Sequence, residues 1–325
     1  MSKPTSPSRM YTSTQDDGRD PLTLALDALP VEHLEVRPGR NVAVHVRQSA
    51  AAEVGSIFWV HGSAASMLQW EAQIDYFASI GYRCIAYDFL GCGRSAKPVS
   101  WDAYSQRALL ADLLAIVLRF RSPAGLPNIG VGHSAGCGLL VRLQAQQALQ
   151  FGGGARLDRL VLVAPPASVP STRLIFRLPL RVLECLQHHL SAGFEERALS
   201  PATRASEAEA HQQLRQLVRA TNGANEMHMC RAYYNQLEVP ADEEYAAVQI
   251  AALVLCGADD QVTPPAQHAA VVRSKLAAGR AAEEQADSSA RVRELVLVEA
   301  AAHQVMQEQP DAVNAHIEAF LGERA

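Results

Sequence analysis

The pentapeptide at residues 132–136, Gly-His-Ser-Ala-Gly, is the stretch of this 325-residue chain whose residue types and spacing point most directly to chemistry. A serine two residues from a glycine on either side is typical of a sharp strand-to-helix turn that exposes the hydroxyl. An apolar run at 126–131 predicts a buried strand before it, and helical spacing over 137–149 predicts a helix after it. The turn would make Ser134 a nucleophile and aim the backbone N–H of Ala135 at an oxyanion.

A serine hydroxyl is a weak nucleophile near neutral pH, so Ser134 needs a base that removes its proton. Histidine suits this task because its ordinary pKa lies near neutrality, and His303 follows the last predicted strand. A carboxylate bonded to the other ring nitrogen would hold one tautomer and stabilise the developing charge. Asp259 and Asp260 both follow the preceding predicted strand, and the residues alone leave both open.

The elements that must position these residues alternate between strands and helices. The predicted strands are 31–36, 41–47, 56–60, 83–88, 126–131, 160–164, 252–256 and 294–298, the first two forming an antiparallel hairpin. The predicted helices are 67–80, a long helix capped by Ser100, 137–149, 265–276 and a last helix that ends at Leu321. This alternation predicts an α/β fold with a mostly parallel central sheet, helices on both faces, and the site at the carboxyl ends of the strands.

The alternation stops between residues 165 and 248, which predicts an inserted helical lid. The expected organisation is a disordered segment at 1–22, core parts at 23–164 and 249–325, and a surface loop at 279–291. Within the lid, three arginines spaced four residues apart at 173–181 lie beside bulky apolar residues, which leaves a weak membrane-surface contact open. Pro179 should break any long interfacial helix there.

Composition excludes several classes of function. The 34 acidic and 29 basic residues give a net charge of -5, so nothing favours nucleic acid as a partner, and 48% apolar content is enough for a large core. No apolar run predicts a transmembrane segment or secretory signal, so we expect a cytoplasmic protein, with organelle targeting by the N-terminal segment left open. The six cysteines form no C-x-x-C pair and are expected to be buried free thiols. No cofactor is expected, since the Gly-rich loop at 89–95 lacks the spacing of a phosphate-binding loop. No metal is expected, since the histidines of the lid have no carboxylate or cysteine partner at ligand spacing.

After residue 30, the chain resembles the α/β-hydrolase superfamily, and within it the abhydrolase-domain branch. The stretches that carry the resemblance are Val60-His61-Gly62, 88–95, 132–136, 255–260 and 302–310. The chain order of a serine at 134, an aspartate at 259 or 260 and a histidine at 303 is the order of that family. The resemblance implies the α/β-hydrolase fold with a lid.

The family pattern also assigns roles to individual residues. It selects Asp260 over Asp259 as the acid, and Ser63 over Ala64 as the second oxyanion donor beside Ala135. Three neighbours of these motifs are expected to line the substrate pocket: His61, Gly62 and His133. A serine nucleophile argues against the epoxide- and halide-cleaving relatives, which use aspartate. The chain departs from the family's frequent glycines at Cys137, Ala301 and Ala302, which adds bulk near tight packing.

The resemblance and the residues together predict a serine hydrolase that cleaves a small-molecule or lipid-like ester through an acyl-enzyme. Two alternatives stay open. One is a C–C bond hydrolase or thioesterase that uses the same residues, and the other is a non-catalytic binding or scaffold protein on the same fold. The oligomeric state is not readable from the sequence.

Overall fold

The computed structural model describes residues 21–123, 125–149, 157–281 and 295–322, and its centre is an eight-stranded sheet. The strands are β1 (Glu32–Arg37), β2 (Arg40–Arg47), β3 (Gly55–Val60), β4 (Tyr82–Tyr87), β5 (Asn128–His133), β6 (Arg159–Val163), β7 (Ala251–Gly257) and β8 (Val296–Val298). Their order across the sheet is β1-β2-β4-β3-β5-β6-β7-β8. The pairings from β4 through β8 are all parallel, whereas β1 and β2 form an antiparallel hairpin that joins β4 antiparallel.

Helices cover both faces of the sheet. They are α1 (Pro21–Ala28), α2 (Glu71–Ser79), α3 (Gln106–Phe120), α4 (Ala135–Leu149), α10 (Ala269–Ala281), α11 (Val305–Glu308) and α12 (Pro310–Gly322), with short 3-10 helices at Met67–Trp70 and Trp101–Tyr104. Successive side chains of a strand point to opposite faces, so β3 contributes side chains to the hydrophobic core on each side of the sheet. Phe58 and Val60 pack with α3 and α4, whereas Ile57 and Trp59 pack with α2 and α12.

The chain between β6 and β7 contributes no strand within its described part and is mostly helical. It contains a 3-10 helix at Ser171–Arg177, then α5 (Leu180–Ala198), α6 (Pro201–Ala205), α7 (Glu209–Gly223), α8 (Met227–Asn235) and α9 (Asp242–Ala246). We call residues 171–246 the helical insertion. Pro179 precedes α5, which agrees with the helix break expected there. No helix in the described ranges is both long and apolar enough to span a bilayer.

The order and type of the core elements agree with the predictions, and several boundaries do not. Ser100 was expected to cap a long helix, but that prediction is wrong: Ser100 precedes the 3-10 helix, and the hydroxyl of Ser105 accepts the N–H of Ala108 to cap α3. Cys185 is exposed, unlike the other five cysteines, and all six are free. Of the predicted N-terminal segment, only Pro21 and Leu22 are described, and they begin α1. Residues 279–281 end α10, and 282–291 of the predicted loop lie outside the described residues.

Candidate active site

Ser134 occupies the turn between β5 and α4. Its φ of +50° lies in the left-handed region, which a residue with a Cβ atom adopts only at a cost of about 1–2 kcal/mol. Two backbone hydrogen bonds hold the strained turn: the N–H of Ser134 donates to Val163 O at 2.9 Å, and the N–H of Cys137 donates to Ser134 O at 3.0 Å. The neighbouring strand therefore fixes the residue that carries the hydroxyl.

Two glycines allow the chain segments around Ser134 to approach closely. A Cβ atom at Gly136 would lie 2.5 Å from Val60 O, which pins the start of α4 against the end of β3. A Cβ atom at Gly62 would lie 2.7 Å from His133 Nδ1 and 3.2 Å from Ser134 Cβ. Any other residue at position 62 would push the loop after β3 away from the serine.

His303 and Asp260 meet in the interior although they lie on different loops. His303 Nδ1 donates to Asp260 Oδ2 at 2.8 Å, and both side chains are buried. Thr263 completes the arrangement, because its hydroxyl donates to the same carboxylate oxygen at 2.8 Å. The N–H groups of Val262 and Thr263 donate to Asp260 Oδ1, each at 2.8 Å. The carboxylate is thus held by three donors on its own loop as well as by the imidazole.

These contacts decide the charge of Asp260. Burial raises the pKa of its carboxyl group, but the opposing effects of His303 and of the Thr263 hydrogen bonds are larger together. The net pKa lies below its ordinary value, so Asp260 is ionised at neutral pH. An ionised carboxylate at Nδ1 leaves Nε2 as the ring nitrogen that can exchange a proton.

His133 lies behind His303 and holds its backbone. The carbonyl of His303 can only accept, so His133 Nε2 carries a proton and donates to it at 2.9 Å. The two rings are 4.7 Å apart between centroids. Burial, and next the proximity of His303, lower the pKa of His133 well below its ordinary value. His133 is therefore a neutral hydrogen-bond donor.

His61 has a different place from the one expected. It is 0% exposed, and neither His61 nor Gly62 is among the residues of the described chain that line the cavity. His61 Nδ1 donates to Gly62 O at 2.7 Å, and Nε2 accepts the N–H of Phe89 at 2.8 Å. Burial lowers the pKa of this imidazole to about 4. Through these two hydrogen bonds, His61 connects the loop after β3 to Phe89, which follows the end of β4.

A cavity of about 580 Å³ lies between the sheet and the helical insertion. Ser134 and His303 both line it, as do Ser63, Ala135 and His133. Asp260 lies behind His303, outside the lining. The hydroxyl groups of Ser63 and Tyr233 are hydrogen-bonded at 3.0 Å, which connects the loop after β3 to α8 of the insertion. The apolar part of the wall comes mostly from the insertion, with Ile175, Phe176, Leu190, Phe194, Met227 and Leu237.

Thr263 and Glu308 contact the candidate site but were not predicted from the sequence. Thr263 lies three residues after Asp260, a spacing at which an aspartate commonly accepts local N–H groups, so this signal was present. Glu308 lies five residues after His303, and its carboxylate accepts the N–H groups of Ala302 and Ser200. Nothing in its spacing reveals these partners. Cys137, one of the departures from the family pattern, donates from Sγ to Gly132 O at 3.1 Å. In the described ranges, no group of three or more His, Cys, Asp or Glu side chains is placed to hold a metal ion.

A profile of the alpha/beta hydrolase family matches residues 57–316. Protein ABHD8 of Mus musculus is 27% identical over 299 residues, which is 88% of this chain and 60% of that protein, so the chain spans about three fifths of the length of this relative. A non-heme chloroperoxidase of Burkholderia pyrrocinia is 28% identical over 242 residues, covering 70% of this chain and 83% of that protein.

A solved structure extends the likeness to three dimensions. The esterase EaEST from Exiguobacterium antarcticum superposes with a TM-score of 0.69 and 16% identity, covering 90% of this chain and 99% of that one. At this identity the likeness concerns the fold alone. The family profile matches well over half of the sequence, and the sheet is eight-stranded and mostly parallel with helices on both faces. The chain belongs to the alpha/beta hydrolase family.

Proposed function

We propose that the protein is a serine hydrolase that cleaves a carboxylic ester, with Ser134 as nucleophile, His303 as general base and acid, and Asp260 as the carboxylate that orients His303. The 2.8 Å hydrogen bond from His303 Nδ1 to Asp260 supports this proposal most strongly, in a molecule where His303 and Ser134 line one cavity. A buried imidazole held by an ionised carboxylate, in the same cavity as a serine in a strained turn, supports activation of that hydroxyl.

In the first half of the reaction, Ser134 Oγ attacks the ester carbonyl while His303 Nε2 accepts the hydroxyl proton. The tetrahedral intermediate collapses as the bond to the alkoxy group breaks, and the imidazolium returns the proton to the leaving alcohol. An acyl group remains on Ser134. Asp260 stabilises the transient charge on His303 without itself becoming protonated.

In the second half, water replaces the alcohol. His303 takes a proton from water, the resulting oxygen nucleophile attacks the acyl carbon, and Ser134 leaves with the proton that His303 returns. The products are a carboxylic acid and the free enzyme. In both halves the N–H groups of Ala135 and Ser63 are the proposed donors to the oxyanion, and each such donor is worth roughly a hundredfold or more in rate.

The cavity wall supports an ester with an apolar acyl or alcohol group. Ile175, Phe176 and Met227 of the helical insertion face the same space as Ser134. A volume of about 580 Å³ falls in the range of small-molecule sites. We therefore propose small or lipid-like esters of moderate chain length as the substrate class.

Hydrolysis of p-nitrophenyl esters of increasing acyl length tests the proposal. The wild-type protein should hydrolyse at least one of them, and Ser134→Ala should reduce kcat to the level of the uncatalysed reaction. Ser171→Ala is the matched control, because Ser171 also lines the cavity but lies in the helical insertion. Its kcat should stay within about twofold of wild type, since an exposed hydroxyl contributes little.

Other outcomes would favour the alternatives. Equal activity of the wild type and of Ser134→Ala would remove Ser134 from the mechanism. Silence towards every ester, combined with tight binding of a ligand in the cavity, would support a binding or scaffold protein on the same fold.

A further inference from the structure

His268 lies in the cavity wall immediately before α10, and one of its ring nitrogens is turned to the backbone. The N–H of Ala167 donates to Nδ1 at 3.0 Å. A backbone amide can only donate, so Nδ1 carries no proton when this bond is formed. The neutral ring therefore carries its proton on Nε2.

The surroundings favour the neutral ring. Burial lowers the pKa of His268 below its ordinary value; the nearby Asp260 raises this pKa and the nearby His303 lowers it, both by less than burial does. The side chain is half-buried. At neutral pH the ring is uncharged, with a fixed N–H donor at Nε2.

The Nε2 donor of His268 is accessible and has no partner in the described part of the chain. Within the described ranges no protein group accepts its proton, and Nε2 is not one of the buried atoms that lack a partner, so it reaches open space. His268 lines the same cavity as Ser134 and His303. Ala167 lies in the segment that joins β6 to the helical insertion, so its hydrogen bond to His268 connects this segment to the start of α10.

The charges of the side chains in the cavity wall limit which ligands this donor can bind. Arg197 and Glu238 line the cavity, but both are exposed, and Glu238 pairs with Arg142 at 3.4 Å. The half-buried His268 offers a neutral donor, which suits a neutral oxygen. A carboxylate bound there would lose more hydration free energy than a neutral oxygen does, so the neutral donor favours the neutral oxygen.

We propose that His268 donates from Nε2 to a neutral oxygen of the substrate that is separate from the scissile ester. The preferred substrates then carry a keto, ether or second ester oxygen along an otherwise apolar chain. This inference rests on the proposed function for the reaction, but the binding preference itself does not depend on hydrolysis.

Two substitutions separate donation to a substrate from attachment of the Ala167 backbone. In His268→Asn, the side-chain oxygen reaches the position of Nδ1 and can accept the N–H of Ala167, whereas the Nε2 donor is lost. In His268→Gln, the side-chain nitrogen reaches the position of Nε2 and can donate, whereas the acceptor for Ala167 is lost. Both variants carry a side-chain amide. His268→Asn retains the acceptor at the position of Nδ1, and His268→Gln retains the donor at the position of Nε2.

The measurement is kcat/KM for p-nitrophenyl oxoalkanoates against unsubstituted alkanoates of the same chain length. In wild type, at least one oxoalkanoate should exceed its unsubstituted counterpart. His268→Asn should reduce that ratio about tenfold, in keeping with the loss of one hydrogen bond, and His268→Gln should largely retain it. Thermal unfolding of each variant checks that it is folded. If the ratio in His268→Asn equals that of wild type, whether or not both kcat/KM values fall, the proposal is overturned.

A binding measurement separates this inference from the proposed function. Ethyl oxoalkanoates and ethyl alkanoates are titrated calorimetrically into Ser134→Ala protein with and without His268→Asn. Preference for the oxo ester that disappears in His268→Asn supports the inference even if the wild type hydrolyses nothing. Equal binding of the two esters contradicts the inference even if the wild type is an active esterase. Stronger binding of the corresponding dicarboxylic half-esters would show an anion site and would also contradict it.

Discussion

Glu308 accepts the backbone N–H of Ala302, the residue before His303, at 2.7 Å. Its other carboxylate oxygen accepts the N–H of Ser200, also at 2.7 Å, and Ser200 belongs to the helical insertion. The N–H of Gln304, on the other side of His303, donates to Ala198 O at the end of α5 at 3.0 Å. The loop that carries the proposed base is thereby attached to the insertion on both sides of the histidine.

This attachment makes Glu308 a positioning residue for His303. Glu308→Gln replaces one accepting oxygen with a donor that would face an N–H group. We expect the free energy of unfolding to fall by about 2 kcal/mol and kcat for ester hydrolysis to fall about tenfold. Urea unfolding and steady-state kinetics measure the two effects. Glu243→Gln, on the exposed surface of α9, is the control, and wild-type kcat in Glu308→Gln would contradict the positioning role.

Thr263 should matter through Asp260. Thr263→Val keeps the shape of the side chain and both backbone donors but removes the hydroxyl bonded to Asp260 Oδ2. Because that hydrogen bond lowers the pKa of Asp260, its loss should raise this pKa and reduce kcat/KM about tenfold. In the pH profile of kcat/KM, the decrease on the acid side should not shift to lower pH. Thr221→Val, in α7 and outside the lining of the cavity, is the control and should leave kcat/KM within about twofold.

Removal of the charge on Asp260 itself should have a larger effect. In Asp260→Asn, the amide can occupy the carboxylate site but favours the wrong tautomer of His303. We expect kcat to fall on the order of 10⁴-fold, as for the equivalent change in triads of this kind. The measurement is single-turnover release of p-nitrophenol. A fall of less than about tenfold would show that Asp260 does not orient the base.

His61 should make the stability depend on pH. Its pKa in the folded protein is about 4, against 6.5 in the unfolded chain, so the unfolded chain takes up the proton first as the pH falls. The contribution of the neutral imidazole is present above pH 6.5 and is lost between pH 6.5 and about 4, to a total of about 3 kcal/mol.

Urea unfolding at several pH values checks this expectation. In His61→Gln, the amide oxygen can still accept the N–H of Phe89, but the titration is absent. The variant should therefore lose less stability than wild type between pH 7.5 and pH 5. Parallel pH dependence in the two proteins would mean that His61 is not the group responsible.

The strained turn at Ser134 predicts an unusual order of stabilities. Ser134→Gly should be more stable than Ser134→Ala by about 1 kcal/mol, because glycine adopts a φ of +50° without the penalty of a Cβ atom. The same pair at Ser171, at the start of a 3-10 helix, should show the opposite order, since glycine loses more entropy on folding. Chemical denaturation of the four variants measures both differences in the free energy of unfolding, and the same order at both positions would contradict the prediction.

Much of the fold could be predicted because its signals are local. The continuous apolar runs that form β3, β5 and β7, and the turn residues around Arg40, appear in single short windows of the sequence. Ser100 and Ser105 show where this approach fails. Both can cap a helix, and the short 3-10 helix between them decides which one caps α3.

The site could be predicted only as far as its residues follow strand ends. His303 was predicted by position, whereas position left Asp259 and Asp260 open and the family resemblance selected Asp260. The placement of Asp260 beside His303 depends on the parallel pairing of β7 with β8. Glu308 and His268 were not predicted, because their partners lie far along the chain, at Ser200 and Ala167. His61 was expected in the pocket from its motif, yet the fold turns its ring towards Phe89.

The most direct test of the central claim is mass spectrometry of the protein after reaction with a fluorophosphonate, with the modified peptide sequenced. We expect one adduct per chain, on Ser134, and no adduct in Ser134→Ala or after replacement of His303 by Ala. An adduct on any other residue, or an unmodified wild-type protein whose cavity still binds esters, would contradict the claim that Ser134 is an activated nucleophile.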